Sequence, residues 1–178
     1  MKKITEKEAI ELLKKYSNSE ENFNKVLRHV KAVKMVAERI ASKIRDVDMY
    51  KISIGSLLHD IGRFSCIKPE DKCKHAYLGA EILRKEGLDD LALIVELHTG
   101  AGITKEEIIN EKLPLPHRDF IPLTKEEKII AHADNLIFGD REGTFEEVIQ
   151  RFTKELGSKK TQRFIQLKNN VEEMMKNG

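Results

Sequence analysis

Residues 124–138, TKEEKIIAHADNLIF, show most clearly the pattern that decides the fold of this chain. A threonine followed three residues later by a glutamate can begin a helix, because each side chain accepts a backbone N–H that the first turn leaves unpaired. The same pattern begins at Thr5, Thr104 and Thr144, each time before apolar residues at helical spacing. No alternating apolar and polar run is long enough to predict a strand. The chain is therefore predicted to be all-α.

Helix ends and caps complete this prediction. Glycines that suit a left-handed helix terminus mark four ends, at Gly62, Gly87, Gly100 and Gly157. Two further helices are predicted to begin at Asp48 and Asp71. The predicted helices span about 5–16, 20–44, 48–61, 72–86, 88–99, 104–111, 124–138, 144–156 and 158–176. Between them lie a proline-rich loop at 112–123 and a short turn at 139–143.

Length and composition limit the classes of protein to consider. The 178 residues fit one domain, predicted to cover 1–178 with a catalytic core at about 20–140 and C-terminal helices at about 144–176. With 40% hydrophobic and 35% charged residues the chain is expected to fold around one core. No apolar run approaches the roughly 20 residues of a membrane span, and the charged start resembles no secretory signal, so a cytoplasmic location is expected.

Charge argues against a nucleic-acid partner. The 32 Lys and Arg nearly balance the 30 Asp and Glu, for a formal net charge of +2, and both signs are interleaved along the chain. Nucleic-acid binders usually carry a clustered basic surface. A nucleic acid is therefore not the favoured partner.

Helical spacing turns an unusual set of ionisable residues toward the core. His29, for example, shares a helix face with Val26, Val33 and Ile40. The inward set comprises His29, His59, Asp60, His75, His98 and Asp134. A single inward histidine is more often a core residue bonded to a carbonyl. Two buried carboxylates are harder to explain, because an unpaired carboxylate is costly to desolvate.

A bound metal satisfies all six residues at once. Imidazoles and carboxylates together suit divalent Mn, Fe, Co, Ni or Zn, and Mg is a further candidate. Asp60 has two oxygens and can bridge two ions, so His29, His59 and Asp134 would complete one site, and His75 and His98 the other. Two bridged ions supply a hydroxide at neutral pH and bind phosphate oxygens.

These residues resemble a known family. A histidine, then an adjacent His-Asp pair, then a distant aspartate is the signature of the HD-domain metal-dependent phosphohydrolases. Here it reads His29, His59-Asp60 and Asp134, and residues 59–62 form the family's HDIG variant in full. The resemblance covers about residues 20–140, and the tail after Gly139 is similar to uncharacterised archaeal HDIG proteins.

The resemblance implies an all-helical bundle with a central metal site and hydrolysis of phosphate esters. Family members with two more histidines between the HD pair and the last aspartate hold two metals, and His75 and His98 match those positions. A further histidine that such members often carry near His98 is replaced here by Thr99 and Gly100. The expected function is hydrolysis of a phosphomonoester or phosphodiester of a nucleotide or related small molecule by a metal-bridging hydroxide.

Other residues receive separate expectations. Asp60 and Arg63 are the expected catalytic residues, with Arg63 also placed to hold a substrate phosphate. Arg118 on the proline-rich loop and Arg141 in the 139–143 turn are further candidates for phosphate contacts. His117 could act as a general acid, although an exposed loop position is the simpler interpretation. His132 lies two residues before Asp134 and therefore on another helix face, so it is not counted as a ligand.

Two alternatives remain open. One is a mononuclear nucleotidase in which His75 and His98 only pack or bond carbonyls. The other is a non-catalytic regulatory or binding module that kept the HD fold.

Overall fold

A computed structural model describes residues 2–66 and 73–178, and in those residues the all-α prediction is confirmed. The helices are α1 (Glu6–Tyr16), α2 (Glu20–Ala41), α3 (Met49–Leu58), α4 (His75–Lys85), α5 (Asp89–Leu97), α6 (Lys105–Asn110), α7 (Lys125–Leu136) and α8 (Phe145–Lys176), with a 3-10 helix at Ile61–Ser65. Strands β1 (Ile137–Phe138) and β2 (Arg141–Glu142) form a small antiparallel hairpin.

The helix starts follow the predicted capping chemistry. All four Thr–Glu pairs form reciprocal capping boxes, at the beginnings of α1, α6, α7 and α8. Asp48 caps α3 by accepting from the backbone N–H groups of Tyr50 and Lys51. The predicted cap at Asp71 lies outside the described residues. Local side chains therefore set the start of most helices, independently of how the helices pack.

Several helices end two or three residues before their predicted ends. Helix α2 ends at Ala41, and α3 ends at Leu58 before the chain tightens into the 3-10 helix. Helix α7 ends at Leu136, because the chain continues into the hairpin, which the sequence reading missed. Gly157 was correctly predicted as a break, since its φ of 81° interrupts α8.

Helices α2 and α7 lie at the centre of the fold. Helix α2 packs against α3 and α7, α7 packs against α8, and α4 packs against α5. Leu58, Ile130 and Phe164 are fully buried in this main core. A smaller apolar cluster, Leu97, Ile108, Leu115 and Phe120, lies under the proline-rich loop. Among the described residues, each helix is too short or too charged to cross a lipid bilayer.

Candidate metal centre and active site

The six inward residues converge from five elements. His29 lies within α2, His59 and Asp60 directly follow α3, and Asp134 lies within α7. His75 is the first residue of α4, and His98 follows α5. Side chains from across the sequence thus meet at the middle of the bundle, which is the arrangement that the apolar helix faces predicted.

The two oxygens of Asp60 face different histidines. Oδ2 lies 3.2 Å from His29 Nε2 and 3.4 Å from His59 Nε2. Oδ1 lies 3.5 Å from His75 Nε2 and 3.7 Å from His98 Nε2. Asp60 therefore lies between two groups of donor atoms.

Asp134 completes the first of these groups. Its Oδ1 lies 3.0 Å from His29 Nε2 and 3.5 Å from His59 Nε2. In the second group, the Nε2 atoms of His75 and His98 lie 2.9 Å apart. Donor atoms of His29, His59 and Asp134, and likewise of His59, Asp60 and His98, all lie within 4.8 Å of one another, as the ligands of one ion must.

Backbone carbonyls orient three of the imidazole rings. His59 Nδ1 lies 2.7 Å from the carbonyl oxygen of Ser56, and His98 Nδ1 lies 2.6 Å from that of Val95. Both histidines directly follow a helix and donate to the carbonyl three residues earlier. Because a carbonyl only accepts, each Nδ1 carries the proton and each Nε2 faces the centre.

The hairpin orients the third ring. His29 Nδ1 lies 2.6 Å from the carbonyl oxygen of Gly139, the residue that follows β1. Gly139 has a φ of 70°, a conformation that favours glycine. The turn that the sequence analysis treated only as a connection therefore positions a candidate ligand.

Two buried carboxylates dominate the electrostatics of the centre. Burial alone lowers the pKa of His29, but Asp134 and Asp60 outweigh it and raise that pKa to about 9. The pKa of His59 is likewise raised, to about 10, against the effect of burial. Burial raises the pKa of Asp60, yet His59 and Arg63 hold it well below its usual range. The carboxylates thus stay charged and attract positive charge.

Several buried atoms at the centre lack a hydrogen-bond partner among the described residues, and a metal ion could use them. Among the described residues, His59 Nε2 and both Asp60 oxygens are buried without a well-directed hydrogen-bond partner. Arg63 Nε lies 2.7 Å from Asp60 Oδ2, as an ion pair. Buried imidazole nitrogens and carboxylate oxygens without hydrogen-bond partners are suitable ligands for a metal ion. The residues present are therefore suited to divalent metal.

A close backbone contact positions His75. A Cβ atom added to Gly62 would lie 1.9 Å from the carbonyl oxygen of His75 and 2.5 Å from the backbone nitrogen of Gly79. Gly62 was expected to end a helix in a left-handed conformation, and this was wrong: it lies inside the 3-10 helix, and its φ is not positive. Glycine is needed here because the 3-10 helix touches α4.

A cavity of about 810 Å³ opens onto the centre. His29, His75 and Asp134 form part of its wall, and so does Arg63, whose side chain is 46% exposed. Arg63 thus lies where a substrate phosphate could reach it, and its contact with the substrate stays a prediction.

The other two predicted phosphate contacts lie elsewhere. Arg118 does not line this cavity; it pairs with the buried Glu96 at 2.7 Å and covers the ring of Phe120. Arg141 pairs with Glu147 at 2.8 Å, beside the capping box of α8. Neither partner was visible from the sequence, because each ion pair depends on how the loop or hairpin folds back. A contact between either arginine and the substrate stays a prediction that this geometry does not support.

The two remaining histidines also lie away from the centre. His132 is buried between α7 and α8, stacked on Phe164, on a different face of α7 from Asp134. Burial and the nearby Lys168 lower its pKa to about 4. His117 is exposed on the proline-rich loop and does not line the cavity.

Sequence reasoning missed three cations on the cavity wall, Lys25, Arg28 and Arg151. A signal for Lys25 was present, since it lies four residues before His29 on the same face of α2, whereas Arg28, one residue before His29, had none. Arg151 had no such signal, because the packing of α8 against α7 brings it to the wall.

Known proteins are similar to this chain over most of its length. The HD domain family matches residues 26–139. An uncharacterised protein of Methanocaldococcus jannaschii is 44% identical over 158 residues, which cover 85% of this chain and 90% of that protein. No solved structure matches the chain significantly.

Two other relatives are longer proteins. The tRNA (cytidine(56)-2'-O)-methyltransferase of Thermoplasma volcanium is 43% identical over 84% of this chain but only 41% of its own length. The protein of the same name from Picrophilus torridus is 46% identical over 71% of this chain and 36% of its own length. The family match spans well over half of the chain and includes His29, the HD pair and Asp134. The resemblance inferred from the sequence is therefore confirmed, and this chain belongs to the HD-domain family.

Proposed function

We propose that this chain is a metal-dependent phosphohydrolase that cleaves a phosphomonoester or phosphodiester of a nucleotide or a related small molecule. Two divalent ions would be held by His29, His59, Asp60, His75, His98 and Asp134. Asp60 would contribute one oxygen to each ion.

The observation that carries this proposal is the position of Asp60. Its side chain is fully buried, and its two oxygens face separate sets of histidines at 3.2 to 3.7 Å. A carboxylate that only paired with one protonated histidine would not need histidine nitrogens facing both of its oxygens. This arrangement supports two ions over the mononuclear alternative.

Bound divalent ions would lower the pKa of a coordinated water and offset charge on the phosphate oxygens. The chain's own residues supply orientation. The carbonyls of Ser56, Val95 and Gly139 hold three imidazole rings with Nε2 toward the centre. Arg63 can hold a phosphate oxygen at the cavity wall once its charge is no longer taken up by Asp60. Such prearranged donors stabilise developing charge without reorganising during the reaction.

Replacing Asp60 tests the proposal directly. Asp60→Asn keeps the shape of the side chain but removes its charge, so both metal content and hydrolysis of phosphorylated metabolites should fall to background. Asp90→Asn, an exposed change in the first turn of α5, is the matched control and should leave both unchanged. Full metal content and turnover in Asp60→Asn would contradict the assignment.

The longer relatives favour a second candidate for the origin of the substrate. Both carry the name of a tRNA methyltransferase, and this chain matches less than half of each. We propose that a phosphate ester derived from RNA, such as a 2',3'-cyclic nucleotide, belongs in the substrate screen beside free nucleotides. Turnover of RNA-derived esters well above that of free nucleotides would favour this candidate.

A further inference from the structure

The cavity is larger than the hydrolysis of one phosphate requires. Its volume of about 810 Å³ falls within the roughly 300–1,000 Å³ that is typical of pockets for small organic ligands. The candidate ligands occupy one part of the wall, and Lys25, Arg28 and Arg151 lie on the remainder. A substrate attached to the metal centre would therefore extend along a cationic wall.

Two of these cations have no acidic partner among the described residues. Arg28 is paired with Asp140 at 3.3 Å. Lys25 and Arg151, in contrast, form no ion pair with any carboxylate in the part of the chain that the structure describes. An uncompensated cation in a pocket attracts an anionic ligand.

The positions of both residues suit binding beside the metal centre. Lys25 lies four residues before His29 on the same face of α2, which places it about 6 Å along the helix axis. Arg151 is held in place, since its guanidinium donates to the carbonyl oxygen of Asn135 at 2.7 Å and lies 4.3 Å over the ring of Phe138. A fixed cation loses little freedom when a ligand binds.

We propose that Lys25 and Arg151 form a subsite for a second phosphate group, so that the preferred substrate carries a phosphate next to the one that is cleaved. This inference rests on the proposed function and narrows its substrate class. Nucleoside polyphosphates and 5'-phosphorylated oligonucleotides both offer such a group. Nucleoside monophosphates do not.

Binding of hydrolysis-resistant probes to the manganese-loaded protein tests the subsite. Calorimetry would compare an adenosine diphosphate analogue, with a methylene bridge between its phosphorus atoms, with the corresponding adenosine monophosphonate. Lys25→Ala is the main variant, because an exposed lysine on a helix can be replaced by alanine without loss of helix propensity. Arg151→Lys is the second variant, and Lys31→Ala, exposed on the same helix and absent from the cavity wall, is the control.

The wild type and Lys31→Ala should bind the diphosphate analogue at least about fivefold more tightly than the monophosphonate, the factor that one modest ion pair supplies. Lys25→Ala should lose most of this preference, and Arg151→Lys part of it. Equal affinity of the wild type for both probes, a preference that survives in Lys25→Ala, or no binding of either probe would overturn the proposal.

Two additions separate the remaining questions. A 5'-phosphorylated dinucleotide with a phosphorothioate link spaces its two phosphates differently from the diphosphate analogue. If Lys25→Ala weakens binding of the diphosphate analogue alone, the substrate is a polyphosphate. If it weakens binding of the dinucleotide alone, the substrate is an oligonucleotide. Hydrolysis of ordinary phosphate esters is assayed separately. Turnover without a preference for two phosphates would overturn the subsite alone, whereas a preference without turnover would overturn the proposed function alone.

Discussion

Gly62 is the position where one added methyl group should do most damage. In Gly62→Ala the new Cβ would lie 1.9 Å from the carbonyl oxygen of His75 and 2.5 Å from the backbone nitrogen of Gly79. Overpacking costs typically about 1–3 kcal/mol. Here both obstacles are backbone atoms of α4, so the 3-10 helix and α4 must separate. We expect a loss of at least about 3 kcal/mol in the free energy of unfolding, or about 6–12 °C in Tm.

Denaturation of chelator-treated protein measures this effect without any contribution from bound metal. Gly157→Ala is the matched control, since nothing lies within 4 Å of its added Cβ and only its φ of 81° opposes the change. With a ψ of 173° this conformation is essentially restricted to glycine, so alanine should cost roughly 1–3 kcal/mol there. Because the clash moves His75, Gly62→Ala should also lose metal more readily than Gly157→Ala. If Gly62→Ala unfolded within 1 kcal/mol of the wild type, the inferred contact between the 3-10 helix and α4 would be refuted.

Three further changes test other parts of the account. Arg163 lowers the pKa of Glu107 to about 2, so this ion pair stabilises the fold fully above about pH 4.5 and loses its contribution as the pH falls toward 2. Glu107→Gln should therefore lower the free energy of unfolding by up to about 3 kcal/mol at pH 7 and flatten the acid side of the stability–pH curve. An unchanged acid side would contradict this role of the pair. Arg118→Ala should destabilise the fold by about 1–2 kcal/mol, because the buried Glu96 loses one of its two cationic partners. The KM for substrate should stay the same. A raised KM would show that Arg118 contacts the substrate. His132→Ala should lower the free energy of unfolding by roughly 2–4 kcal/mol, because it leaves a cavity in the core, but it should not change the metal content. Loss of metal from a folded His132→Ala protein would show that the wrong face of α7 had been assigned.

Much of the fold was predictable because its signals are local. A capping box needs only a threonine and a glutamate three residues apart, and all four predicted boxes are present. The inward faces of α2, α4 and α7 were readable for the same reason, since helical spacing fixes which residues share a side. Helical spacing predicted that His29 and Asp134 both face the core, and the inferred shared metal and the resemblance to the HD family placed them in one site.

The features that escaped prediction depend on long-range contacts. The carbonyl of Gly139 is 110 residues from His29, and nothing in the local sequence shows that the two meet. Arg118 was expected near the substrate because it is a cation on a loop, but it pairs with the buried carboxylate of Glu96 and does not line the cavity. The role of Gly62 was also hidden, because close contact with α4 and a left-handed turn both select glycine.

The most direct test of the account is the number of metal ions per chain in the wild type and in His98→Ala, measured side by side by elemental analysis. His98 faces only the Oδ1 side of Asp60, so its loss should empty one site and leave the ion held by His29, His59 and Asp134. The expected result is about two ions in the wild type and about one in the variant, with a steep fall in hydrolysis because one ion's assistance is lost. Equal metal content in the two proteins would contradict a two-ion centre and leave the mononuclear nucleotidase as the better account.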